Sequence, residues 1–108
     1  MILDEEHVAL ALAILRDSER GYQVERRAHI AEIEEDEAHA RIYLEAIGQV
    51  AEREAKVSIN PEYMAARRRY ADARAEVKRW ERDWKSSETV CSVWQTEQKN
   101  AQASMRVK

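Results

Sequence analysis

The chain has 108 residues, 36% of them charged, with two Gly, one Pro and no Phe, and its net charge is -3. That composition excludes a sandwich or a sheet of hairpins and leaves long helices in a single domain. The charge is divided: residues 1–57 carry 14 acidic and 7 basic side chains, and residues 58–108 carry 7 and 11, so an acidic arm and a basic arm attract each other.

The N-terminus reads Met1-Ile2-Leu3-Asp4-Glu5-Glu6, acidic where a signal peptide would be basic. Asp4 is a suitable N-cap, with Glu5 and Glu6 placed where a helix dipole favours negative charge. Ten of the fourteen residues from Ile2 to Leu15 are aliphatic or Ala. That is more apolar surface than one neighbouring helix covers. Val8, Leu10 and Ile14 are therefore expected to line a homo-oligomer contact within residues 2–15. The apolar run from Val8 to Leu15 is far too short for the roughly 20 residues of a membrane span. With the lone Cys91 offering no disulfide framework, a reducing cytoplasm, bacterial or that of a phage-infected cell, is the expected location.

The first arm is expected over about residues 4–56, with a kink or break near 18–22. Gly21 would close a first helix at Arg20, or else the helix continues through a four-residue stutter. Beyond it the apolar positions Ile30, Ile33, Ala40, Leu44, Ile47 and Ala51, with Glu37 among them, read as the seam, and Gly48 lies inside the helix beside them. Val57-Ser58-Ile59-Asn60 reads as a loop. Asn60 as N-cap and Pro61 at the first helical position open the second arm, 61–106.

That arm has the clearest periodicity in the chain. Tyr63, Ala66, Tyr70, Ala73, Val77, Trp80, Trp84, Ser87, Cys91, Trp94, Gln98, Ala101 and Met105 alternate by three and four, the mark of a helix keeping one seam toward a partner. A short connection makes the two arms antiparallel. The fold expected is thus all-α, a long antiparallel two-helix hairpin packed as a coiled coil. A pivot on residues 57–60 sets facing residue numbers to total about 117, placing Ala40 by Val77 and Glu37 where it can accept from the Trp80 indole N–H.

Little in the sequence carries catalysis. No Gly-rich phosphate loop and no zinc spacing occur, and a two-helix rod has no concave pocket; no catalytic residue, cofactor or metal is expected. Glu32, Asp36 and His39 share a helix face, and Asp36-x-x-His39 has the spacing of half a carboxylate-bundle site, but on the outer side, so a solvated acidic face is the reading adopted. The basic residues divide. Arg67, Arg69 and Arg74 flank the seam, within reach of Glu45, Glu52 and Glu54. Arg68, Lys78, Arg79, Arg82 and Lys85 point outward, in a stripe that can follow a phosphate backbone.

The run Arg79-Trp80-Glu81-Arg82-Asp83-Trp84, with Val93-Trp94-Gln95-Thr96-Glu97-Gln98, resembles the ends of small helical proteins from phage recombination modules. In architecture alone the chain is similar to the UvsY-type recombination mediators of tailed phages. The resemblance implies a non-enzymatic, oligomeric recombination accessory engaging single-stranded DNA or a recombinase. The other class open to such a hairpin is a protein-only adaptor or inhibitor, an anti-defence or assembly factor.

Overall fold

A computed structural model describes residues 4–107 of the chain. They form four helices, α1 (Glu5–Arg16), α2 (Ser18–Glu45), α3 (Val50–Ile59) and α4 (Pro61–Val107), with no strand among the described residues. The all-helical expectation is met. None of these helices is long and apolar enough to cross a membrane. The chain packs as two units: residues up to Arg20 with those from Arg79 onward, and Gly21–Lys78.

Three short polar side chains set the helix boundaries. Asp4 accepts the backbone N–H of His7 at 2.8 Å and meets His7 Nδ1 at 2.8 Å. The His7 backbone N–H, then its side chain, hold the Asp4 carboxyl below its ordinary pKa. Asp17 closes α1 and opens α2. Its backbone N–H returns to the Ile14 carbonyl at 3.2 Å, while its Oδ1 accepts from the Arg20 N–H at 3.0 Å. The interruption falls at Asp17 and not near Gly21, which is buried inside α2. An Asp side chain offers the backbone an alternative to the helix ladder, whereas Gly within a helix merely lowers its stability. Asn60 caps α4 as expected, accepting from Glu62 N–H at 2.9 Å and Tyr63 N–H at 3.3 Å.

The first arm breaks again where the sequence reads as continuous. Gly48 has φ +129°, a region that favours glycine, and it separates α2 from α3. Two cations of α3 fold back onto carbonyls of this connection: Arg53 Nε on Gly48 O at 3.0 Å and Lys56 Nζ on Ile47 O at 2.6 Å. They satisfy acceptors that a helix end leaves open. The expected loop at 57–60 shrinks to Asn60, because α3 runs to Ile59. Val57, placed in that loop by its sequence, is only 1% exposed. It packs with Ala38, Ile42, Ala66, Tyr43 and Tyr63, so α2, α3 and α4 share one core.

The break at Gly48 changes the pairing of α2 with α4. In the unit Gly21–Lys78, Arg41 bonds Glu62, Arg69 lies 3.7 Å from Glu34 and Arg27 lies 3.0 Å from Glu76. In the other unit Arg20 lies 3.0 Å from Asp83. The numbers in each pair total 103, not 117, because the chain turns about α3 and not about residues 57–60. The buried stripe of α2 moves with it, to Gly21, Val24, Ala28, Ala31, Ala38 and Ile42. Glu35 is half-buried between Ala31 and Ala38, which keeps the alternation of three and four unbroken. Ile30, Ile33, Ala40 and Leu44, the expected seam, are exposed. Tyr63 packs against the cluster of Ala38, Ile42, Val57 and Ala66, and a large ring on α4 is accommodated where a small Ala stands on α2.

On α4 the expected seam holds from Tyr63 to Trp80 and at Ser87, Cys91 and Trp94; these positions are buried or half-buried, while Gln98, Ala101 and Met105 are exposed. Trp84 is 38% exposed. In the pairing order it falls against residue 19, beside the Asp17 interruption. Glu37 is exposed and does not serve Trp80; the Trp80 indole N–H is buried with no hydrogen-bond partner among the described residues.

Candidate nucleic-acid interface

Pro61–Val107 is one uninterrupted helix, so its side chains can be sorted by angle. At about 100° per residue, Arg68, Lys78, Arg79, Arg82 and Lys85 share an arc of roughly 120°. The arc lies opposite the stripe of Ala66, Ala73 and Val77. All five are exposed, as their outward assignment requires. Arg67, expected to flank the seam, falls at the edge of the same arc; Ala71, Ala75, Ser86 and Thr89 fall within it, and from Met64 to Val93 no Asp or Glu does. The acids of this stretch stand on the flanks, Asp72, Glu76 and Asp83 on one side and Glu81 and Glu88 on the other.

The ion pairs sharpen that division. Arg20, Arg27, Arg41 and Arg69 are each joined to a carboxylate across the helix pairing. For Arg41 the Glu62 hydrogen bond pushes the guanidinium pKa further up. Glu76 and Asp83 are thereby engaged and turned from the arc. Among the described residues, none of the five arc cations has an ion-pair partner within 4 Å. The partner of Arg69 is Glu34; Glu45, Glu52 and Glu54, expected to neutralise the flanking arginines, are elsewhere. Glu54 meets His39 Nε2 at 3.2 Å.

His39 is a packing residue in this arrangement. Its ring stacks on Tyr43 with centroids 6.1 Å apart and meets the Tyr63 ring edge at 5.8 Å. Arg53 lies over the other participant, Tyr43, at 5.5 Å. Glu32 and Asp36 stay exposed, and no group of three or more His, Cys, Asp or Glu among the described residues could hold a metal ion. A groove of about 320 Å³ runs along the α2–α4 pairing, with Ile30, Ala31 and Ala73 in its wall. The Arg27–Glu76 and Arg69–Glu34 pairs stand at its edges, and it gathers no nucleophile with a base.

The three residues expected at an oligomer contact differ in exposure. Val8 is buried at 5% and Leu10 is 60% exposed, while Ile14 is half-buried. Ile2 and Leu3 lie outside the described residues. Comparisons with protein-family models, with curated proteins and with solved structures find no match.

Proposed function

We propose that this chain is a non-enzymatic binding protein, an antiparallel helical hairpin packed as a coiled coil, that engages single-stranded DNA along the outer face of α4. The observation that carries this reading is the acid-free arc of Arg68, Lys78, Arg79, Arg82 and Lys85, exposed and without ion-pair partners while Arg20, Arg27, Arg41 and Arg69 are held by carboxylates. A row of cations along a helix neutralises phosphates and releases their counterions. Alanines and hydroxyls between the cations let the strand approach. The local resemblance to phage recombination modules supports an accessory role there, with single-stranded DNA or the recombinase that coats it as the target and the cytoplasm of the infected cell as the place. A protein-only adaptor or inhibitor is favoured by a different observation: Leu44, Ile47 and Val50 are 77%, 82% and 67% exposed around the α2–α3 connection.

Fluorescence anisotropy of a labelled single-stranded oligonucleotide across a salt series separates the two. Each phosphate contact contributes about 0.7 to the slope of log affinity on log salt, so the five cations of the arc give a slope of roughly 3.5 for one chain. Arg79→Glu with Arg82→Glu is expected to weaken binding to all sequences alike while leaving helicity unchanged. No binding at low salt would eliminate the nucleic-acid reading and leave the adaptor.

A further inference from the structure

The exposed side of α2 has a repeat of its own. Arg26, Ile30, Ile33, Glu37 and Ala40 succeed one another by four, three, four and three residues and fall on one side of α2, away from the stripe of Val24, Ala28, Ala31, Ala38 and Ile42 that is buried, with Ile30 at the edge nearest the α4 groove. All five are exposed, Ile30 and Ile33 each at 43%. A helix with one covered seam and a second, heptad-spaced apolar seam in water is built to pack on two sides.

We infer that this second seam binds the same face of a second copy of the chain, with the two α2 helices antiparallel about a two-fold axis between Ile30 and Ile33. The charges select that occupant and that orientation. Arg26 precedes Ile30 by four residues, and Glu37 follows Ile33 by four. An antiparallel pairing that sets Ile30 on Ile33 of the second copy therefore sets Arg26 on Glu37 of the second copy. The two-fold axis repeats both contacts, as an isologous interface requires. A parallel pairing in register would instead oppose Arg26 to Arg26 and Glu37 to Glu37, which repels. Neither Arg26 nor Glu37 has an ion-pair partner among the described residues, so both are available for this one. The contact uses a different helix from the proposed DNA-binding face and stands independently of it.

Sedimentation equilibrium of the full chain tests the pairing, with circular dichroism as a check on helicity. The wild type is expected to form a dimer, and Ile30→Glu with Ile33→Glu a monomer. Arg26→Glu alone and Glu37→Arg alone each place two like-charge contacts in the dimer, and each should weaken it by about tenfold. Mixed in equal amounts, the two charge variants should recover near wild-type association, because in the mixed dimer every Glu faces an Arg. That recovery keeps the inference testable even if the double Ile variant fails to fold. A wild type that stays monomeric at high concentration overturns it. So does a mixture that associates no better than its separate components.

Discussion

Gly48 is the residue on which the course of the chain turns. Its φ of +129° lies where L side chains are strained. A Cβ built there would meet Glu52, at 2.3 Å from Oε2 and 3.1 Å from Cβ. The carboxylate end can swing away, but the backbone conformation cannot relax without shifting the Arg53 and Lys56 bonds to the Gly48 and Ile47 carbonyls. Gly48→Ala should therefore destabilise the fold by about 1–3 kcal/mol, measured by urea denaturation. A continuous α2–α3 helix predicts the opposite sign, because Ala in a helix interior is about 1 kcal/mol better than Gly. A stabilised variant would remove the turn. The same residue shows the limit of reading glycine from sequence: a Gly beside an apolar pattern fits a helix interior and a helix terminus equally well. The signal that could have decided it lies downstream, in Arg53 and Lys56, spaced to reach back to the free carbonyls.

At the level of helices, the second arm was legible and the first was not. On α4, periodicity fixed the buried stripe from Tyr63 to Trp80 because large rings repeat without competitors. On α2 two stripes with the same three–four alternation coexist, one mostly of small residues that ends at Ile42 and one dominated by Ile and Leu. Hydrophobicity favours the second, whereas the core that Ala38 and Ile42 share with Val57, Ala66 and Tyr63 uses the first. The outward basic stripe is exposed in the observed register as well, because its angle on α4 does not depend on which residues of α2 face it; the partner of Arg69 does depend on that. A thiol crosslink discriminates the registers in a Cys91→Ser background. Cysteines replacing Glu34 and Arg69, whose side chains lie 3.7 Å apart, should join efficiently through a short bifunctional reagent within one chain. Cysteines replacing Ala40 and Val77 should not, since Ala40 is exposed and Val77 is 6% exposed. The reverse result would restore the register totalling 117 and return Ile33 and Ala40 to the seam.

Across the whole molecule, the ion-paired arginines and the cations of the α4 arc have different expected responses to salt. The four cross-helix pairs involve side chains 41–60% exposed, and pairs of that kind contribute about 0–1 kcal/mol each. Their regular spacing along α2 and α4 sets register more than it adds stability. The apolar core around Val57 and Ala66, each 1% exposed, is indifferent to screening. Raising salt from about 0.05 M to about 1 M shortens the Debye length to about 3 Å, and the melting temperature should move by only a few degrees. The arc on α4 behaves differently, because its cations act on a polyanion through counterion release. Over about a fourfold rise in salt its affinity for single-stranded DNA should fall by about a hundredfold. Following thermal melting and oligonucleotide anisotropy in the same salt series checks both at once. If melting temperature collapsed together with binding, the arc cations would be holding the fold together through contacts with the acidic arm. The distinction between paired arginines at the seam and unpaired cations on the outer face would then fail, and with it the case for a DNA-binding surface.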